Sequence, residues 1–255
     1  MQSQPTPAVI LRTRPLGEAD LIAIVLTPEQ GKLETAAARA RNSKKRFAGG
    51  LSPGMRGVAA IARGRGALLR LESFDATAAH APVGADLTRF AYVAYLCELT
   101  DELVLARHPD PELFAALCLA LEQIIAGAPQ ALHLRQYELA LLRCLGLSPA
   151  LTRCCVCGVE VEVEGDGSAA FDGPRGGVLC LEHERGAPRL PTAALAAIHH
   201  LESGGDPAAL ASAPPALRRA VRDAIQSIVR SHLRRPLHAQ AFFAALPRDA
   251  GAEGV

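Results

Sequence analysis

The sequence predicts an α+β chain, with a small N-terminal β-barrel followed by an all-helical section that carries an embedded insertion. Short apolar runs broken by glycine and proline fill the first 80 residues, helical periodicity replaces them afterwards, and a four-residue Cys/His set interrupts the helices. The expected domains are residues 1–80, residues 81–246 with the insertion at about 151–189, and a frayed tail at 247–255.

In the first section Val9 to Arg12 leads to Leu21 to Leu26 across a polar stretch containing Gly17. Thr27, Pro28 and Gly31 then turn the chain back toward Leu33 to Ala37. Val58 to Ala62 and Leu68 to Phe74, separated by Gly64 to Gly66, read as a further hairpin. Five short strands of this kind suit a small barrel such as an OB-fold. The alanines of the 33–41 segment also leave a helical reading open there.

Helices are expected over Asp86 to Leu105, from an Asp110-Pro111-Glu112 start to near Gly127, and over about 131–145. Between 151 and 189 the chain is rich in glycine, valine and acids. Helical patterns resume at 192–202 and from Pro215 to about Arg234, where Pro236 ends them.

Charge divides along the same line. Residues 1–80 hold twelve Lys and Arg against six acids, near +6, while the remainder is near −5, so the formal total of +1 hides two opposite sections. Five cations, Arg39, Arg41, Lys44, Lys45 and Arg46, fall within eight positions. Such a cluster tracks phosphates rather than bases, with an affinity that falls steeply with salt; its bland counterpart is a solvated loop. Only Phe47 and Phe74 are aromatic in this section, too few for a base-stacking platform.

Cys154, Cys157, Cys180 and His183 form a C-x-x-C and a C-x-x-H pair separated by 22 residues. This is ligand spacing for one structural Zn²⁺. Val159 to Val163 and Ala169 to Phe171, turning at Gly165 to Gly167, are expected to form a ribbon between the pairs, and Gly158 permits a tight knuckle. Cys155 is left out because a two-residue gap brings Cys154 and Cys157 together more readily. Four protein ligands leave no place for an activated water. Cys97, Cys118 and Cys144 read as core thiols.

No phosphate-binding Gly-rich loop is present, since Gly31-Lys32 is followed by Leu33. His199 and His200 diverge as neighbours on a helix, and Ser43, Ser52 and Ser73 lack a nucleophile context. The reading is therefore not an enzyme; a zinc-dependent hydrolase would need an open coordination position. An RNA-binding or transcription-associated zinc-ribbon protein is the other alternative, against which the shortage of Asn and Gln in the basic section argues. The opening residues lack a signal-peptide pattern and no run is long enough to cross a membrane, so a cytoplasmic, nucleoid-associated protein is expected.

Several stretches together resemble the DNA repair protein RecO family: Ala8 through Asp20, Leu26-Thr27 through Gly31-Lys32, Ser43 to Phe47 with Gly49 to Pro53, Leu145 to Leu147, Arg153 to Gly158, Gly176 to Cys180, and Ile228 to Leu246. The chain departs from that family where Arg39 stands in place of a glycine and His183 in place of the more frequent cysteine. The resemblance implies an OB-fold, a helical domain with a zinc finger, binding of single- and double-stranded DNA, and annealing of complementary strands without ATP. It also implies work with RecR, and in some cases RecF, in loading RecA onto DNA coated by single-stranded DNA-binding protein. The acidic C-terminal tail of that coating protein is expected to dock on the helical domain. Arg135 and Arg143, eight apart on one helix, are candidates for that contact, against an ordinary amphipathic face.

Overall fold

The structure is a computed structural model, described for residues 4–43, 45–64, 68–77, 83, 86–127, 129–161 and 167–245. The anticipated glycine turn at 64–66 and the tail at 247–255 therefore lie largely or wholly outside the described residues.

Five strands close into a barrel: β1 (Gln4–Leu16), β2 (Asp20–Thr27), β3 (Gly31–Ala37), β4 (Arg56–Ala62) and β5 (Leu69–Ala76). Their order is β1-β2-β3-β5-β4, with β4 returning to β1 and a parallel β3–β5 contact at Thr35 opposite Leu69. The first strand runs longer than its apolar signal. Gln4 to Val9 pair with β4 while Val9 to Leu16 pair with β2, across an irregularity between Ile10 and Arg12. Pro5 and Pro7 are tolerated because that half of the strand is paired on one side only.

Ala8, Ile10, Val25, Leu33, Ile61, Leu71 and Phe74 fill the interior, as alternation on a half-buried sheet requires. The run Ile22 to Leu26 is buried on both faces because α1 (Leu87–Leu103) and α2 (Pro111–Ala126) cover the outer side of β1 and β2. The alanine-rich segment resolves into strand β3 and then a single 3₁₀ turn, Ala40–Asn42. Its ladder with β2 outweighs alanine's helical preference.

Both helix starts are capped as the sequence requires. Asp86 accepts from the Thr88 and Arg89 amides, and Asp110 from that of Leu113. Gly31, at φ +67°, lies so close to the loop after α1 that a Cβ there would meet the His108 carbonyl oxygen at 2.1 Å. Packing keeps α1 and α2 with the barrel: one compact unit comprises Met1–Pro129 together with Leu237–Leu246. This differs from the sequence division near residue 80.

The second unit includes Gln130–Pro236. It contains α3 (Ala131–Cys144), a three-stranded sheet of β6 (Ser168–Asp172), β7 (Gly177–Leu179) and β8 (Arg189–Pro191), then α4 (Thr192–Glu202), α5 (Ala208–Ala211) and α6 (Pro215–His232). Helices α3, α4 and α6 pack together, and Leu141, Ile198 and Ile225 on them are buried.

The ribbon forms differently from expectation. Central β6 pairs with β7 and β8, as Phe171 opposite Val178 and Ala169 opposite Leu190. On the other arm, Glu160 bridges Arg153, and residues 162–166 lie outside the described ones. The turn from Asp172 to Gly176, closed by the Gly176 amide on the Asp172 carbonyl, is what delivers Cys180 to the first cysteine pair.

After Pro236 the chain returns to the first unit as α7 (Ala239–Ala245). Glu98 of α1 caps it, accepting from the His238 and Ala239 amides at 2.9 and 2.7 Å. The Phe243 ring meets Tyr92 and Tyr95 edge-on. Among the described residues no helix is long and apolar enough to cross a membrane.

Candidate nucleic-acid interface and metal centre

The loop between β3 and β4 begins with Arg39 in the left-handed region, φ 53° and ψ 30°. Three hydrogen bonds tie this start to the β1–β2 turn. Asp20 Oδ1 accepts the Arg39 amide at 2.7 Å, the Ala19 carbonyl accepts the Arg41 amide, and the Glu18 carbonyl accepts from Arg41 Nη1. At its other end Phe47 is buried in the barrel core, and the Arg46 carbonyl accepts the Phe74 amide. Arg46 itself stays exposed, over the Phe47 ring, and donates to the Ala38 carbonyl at 2.7 Å. The loop is thus fastened at both ends, with Arg39, Arg41, Lys45 and Arg46 exposed. Lys44 lies outside the described residues.

Ion pairing separates these cations from the rest of the section. Arg12 and Lys32 meet Asp101, Arg14 meets Glu34, Arg56 meets Glu122 and Arg70 meets Glu72. Arg39, Arg41, Lys45 and Arg46 have no carboxylate within ion-pair distance among the described residues. Neither has exposed Arg63, just after β4, which lies outside the 39–46 cluster. Both aromatics of the section, Phe47 and Phe74, are buried at 2% and 0% exposure. Neither can stack on a base, so the section presents no aromatic platform.

In the second unit one donor atom from each of Cys154, Cys157, Cys180 and His183 lies within 4.8 Å of all the others. Cys157 Sγ is 3.8 Å from Cys180 Sγ, and His183 Nδ1 is 3.8 Å from Cys154 Sγ and 3.2 Å from Cys180 Sγ. A tetrahedral ion with metal–sulfur bonds of about 2.3 Å has S···S edges a little under 4 Å, so the spacing fits one metal ion. Cys155 is not in the group.

Gly158 at φ +75° donates its amide to the Cys154 carbonyl, closing the first knuckle, and the His183 and Glu184 amides close the second on the Cys180 carbonyl. Burial alone pushes the Cys154 thiol up, but backbone amides of Cys180, Cys157 and Val156 and the Cys157 thiol outweigh it and bring the group down to about 6. A buried sulfur surrounded by amide donors is the environment of a ligating thiolate.

Of the other sequence expectations, His199 and His200 are exposed, and His200 Nε2 lies 3.2 Å from the Asp206 carbonyl. Cys97 is buried, with its thiol pushed up to about 12 by burial; Cys118 and Cys144 are only partly buried. Arg135 and Arg143 do not share an exposed face. Arg143 is exposed, whereas Arg135 is 2% exposed and pairs with Glu138 one helical turn on, at 2.9 Å. Positions eight apart on a helix of 3.6 residues per turn are turned by about 80° from one another, enough to put one side chain inside and the other out.

Barrel, fastened basic loop and Cys₃His group together define a two-part protein with an OB-like module and a helical module bearing a Cys/His knuckle able to hold a metal ion. Profiles for the N-terminal and C-terminal parts of recombination protein O match residues 1–80 and 84–241. The DNA repair protein RecO of Anaeromyxobacter sp. strain K is 40% identical over 240 residues, 92% of this chain and 93% of its own. That of Myxococcus xanthus is 34% identical over 252 residues, 98% and 100% of the two chains, and that of Synechococcus elongatus 32% over 243 residues, 91% of each. The chain belongs to the RecO family, and its role lies in DNA repair and recombination.

Proposed function

We propose that this chain is a recombination mediator that binds DNA through the loop between β3 and β4 and anneals complementary strands without ATP. The observation that carries the reading is the division of charge in the barrel: the cations outside the loop are largely committed to carboxylates, while Arg39, Arg41, Lys45 and Arg46 are not. Lys44 joins them by sequence. Such cations displace the counterions condensed on DNA phosphates without engaging base edges. Edges left free remain available to a complementary strand, which is what annealing needs.

Cys154, Cys157, Cys180 and His183 hold one zinc ion in this reading. Four protein ligands close its coordination sphere, so the ion shapes the knuckle rather than activating water. Its other expected partners are RecR, RecF, RecA and the acidic tail of single-stranded DNA-binding protein. Arg143 is the surviving candidate of the two arginines for the tail, and Arg135 is assigned to the interior of its unit. Support for these partners comes from family membership.

Annealing of complementary oligonucleotides, bare or coated by their binding protein and without nucleotide, tests the reading. Acceleration that survives coating and fades with salt is expected; DNA binding indifferent to salt would reject the loop-led mechanism.

A further inference from the structure

At the root of the basic loop sits an acid that simple electrostatics would remove. Asp20 Oδ1 accepts the Arg39 backbone N–H at 2.7 Å, and the neighbouring Ala19 and Glu18 carbonyls take the Arg41 amide and guanidinium at 3.2 and 3.3 Å. Arg39 holds φ 53°, a conformation that glycine adopts freely and an L side chain resists. Arg46 donates to the carbonyl of Ala38, so both ends of the cluster converge on the backbone that Asp20 fixes.

We infer that Asp20 is a positioning residue for DNA binding: its carboxylate holds Arg39 in the left-handed conformation and so sets the loop cations in the arrangement that meets phosphates. The inference rests on the DNA-binding reading above and deepens it. An acid at the start of β2, beside the loop, acts through its hydrogen bond and not its charge. Arginine at position 39 supplies a phosphate contact where glycine would supply only the turn, and the Asp20 bond offsets the backbone cost.

The two roles of the carboxylate have opposite signs. As a charge, its loss should tighten binding to a polyanion, as loss of exposed Glu29 in the β2–β3 turn should. As a positioner, its loss should weaken binding although the net charge rises by one.

The test is equilibrium binding of a labelled single-stranded oligonucleotide to the full chain, with melting followed in parallel. Asp20→Ala is expected to bind roughly five- to tenfold more weakly, the scale set by a non-glycine residue in the left-handed region. Asp20→Asn, whose amide oxygen can accept the same bond, should stay near wild type, and Glu29→Gln should bind slightly more tightly. In an Arg39→Gly background, where the turn needs no help, Asp20→Ala should cost nothing further, and this comparison stands even if Asp20→Ala alone lowers the melting temperature. Asp20→Ala binding as tightly as Glu29→Gln, or losing as much in the Arg39→Gly background, overturns the inference. Absence of salt-dependent DNA binding in the wild type would instead remove the underlying reading.

Discussion

Lys32 Nζ lies 3.3 Å from Asp101 Oδ1, linking the barrel's second hairpin to the last turn of α1, with Arg12 Nε 3.0 Å from the other carboxylate oxygen. Lys32 also donates to the Asp101 backbone carbonyl. Asp101 is 6% exposed, so two cations depend on one buried acid. Replacing Asp101 with Ala should cost about 2–4 kcal/mol in a denaturant titration, because a partly buried ammonium is left without its counter-charge. A cost under about 0.5 kcal/mol, typical of surface changes, would mean the cluster is incidental.

The loop cations carry the opposite expectation. Lys44→Ala, Lys45→Ala and Arg46→Ala combined should leave the melting temperature nearly unchanged while lowering DNA affinity for all sequences alike. The salt slope should flatten by roughly 2, since each lost phosphate contact removes about 0.7–0.9. Parallel binding and melting curves check this.

Arg135 and Arg143 separate interior from surface on one helix. Arg135→Ala removes the ion-pair partner of buried Glu138 and should destabilise by about 3–5 kcal/mol. Arg143→Ala, at an exposed position, should change stability by less than about 0.5 kcal/mol. Equal effects in chemical denaturation would contradict the placement.

The thiolate environment of Cys154 predicts how metal retention depends on pH. Its folded-state value is depressed from 9.0 to about 6, so the stabilisation from that thiolate is complete above the ordinary value and lost as pH falls through about 6. Metal binding adds to this, since protons compete for the same sulfur. The zinc-loaded chain should therefore release metal to a coloured chelator below about pH 6, and Cys154→Ser at distinctly higher pH. An identical release profile in the variant would exclude Cys154 as a ligand.

Much of this was legible from residue order because the signals are local. Asp86 and Asp110 mark helix starts through their own side chains, the apolar run Leu21 to Leu26 announces a strand, and the two-residue gaps of Cys154/Cys157 and Cys180/His183 converge without knowledge of the fold. What stayed hidden depends on partners far along the chain. Nothing near Glu98 signals that it caps a helix 140 residues later, and nothing near Asp101 reveals Lys32. The first strand outran its apolar pattern because its proline-bearing half needs a partner on one side only. The pairing of β6 was misread for a related cause: alternation shows that a segment is a strand, not which strand it meets.

The measurement that bears most directly on the central claim is the affinity for a single-stranded oligonucleotide across a salt series, wild type against the Lys44/Lys45/Arg46 triple alanine variant. A steep wild-type slope that flattens in a variant of native stability is the predicted result. Superimposable curves for the two proteins would contradict it and move DNA binding away from this loop.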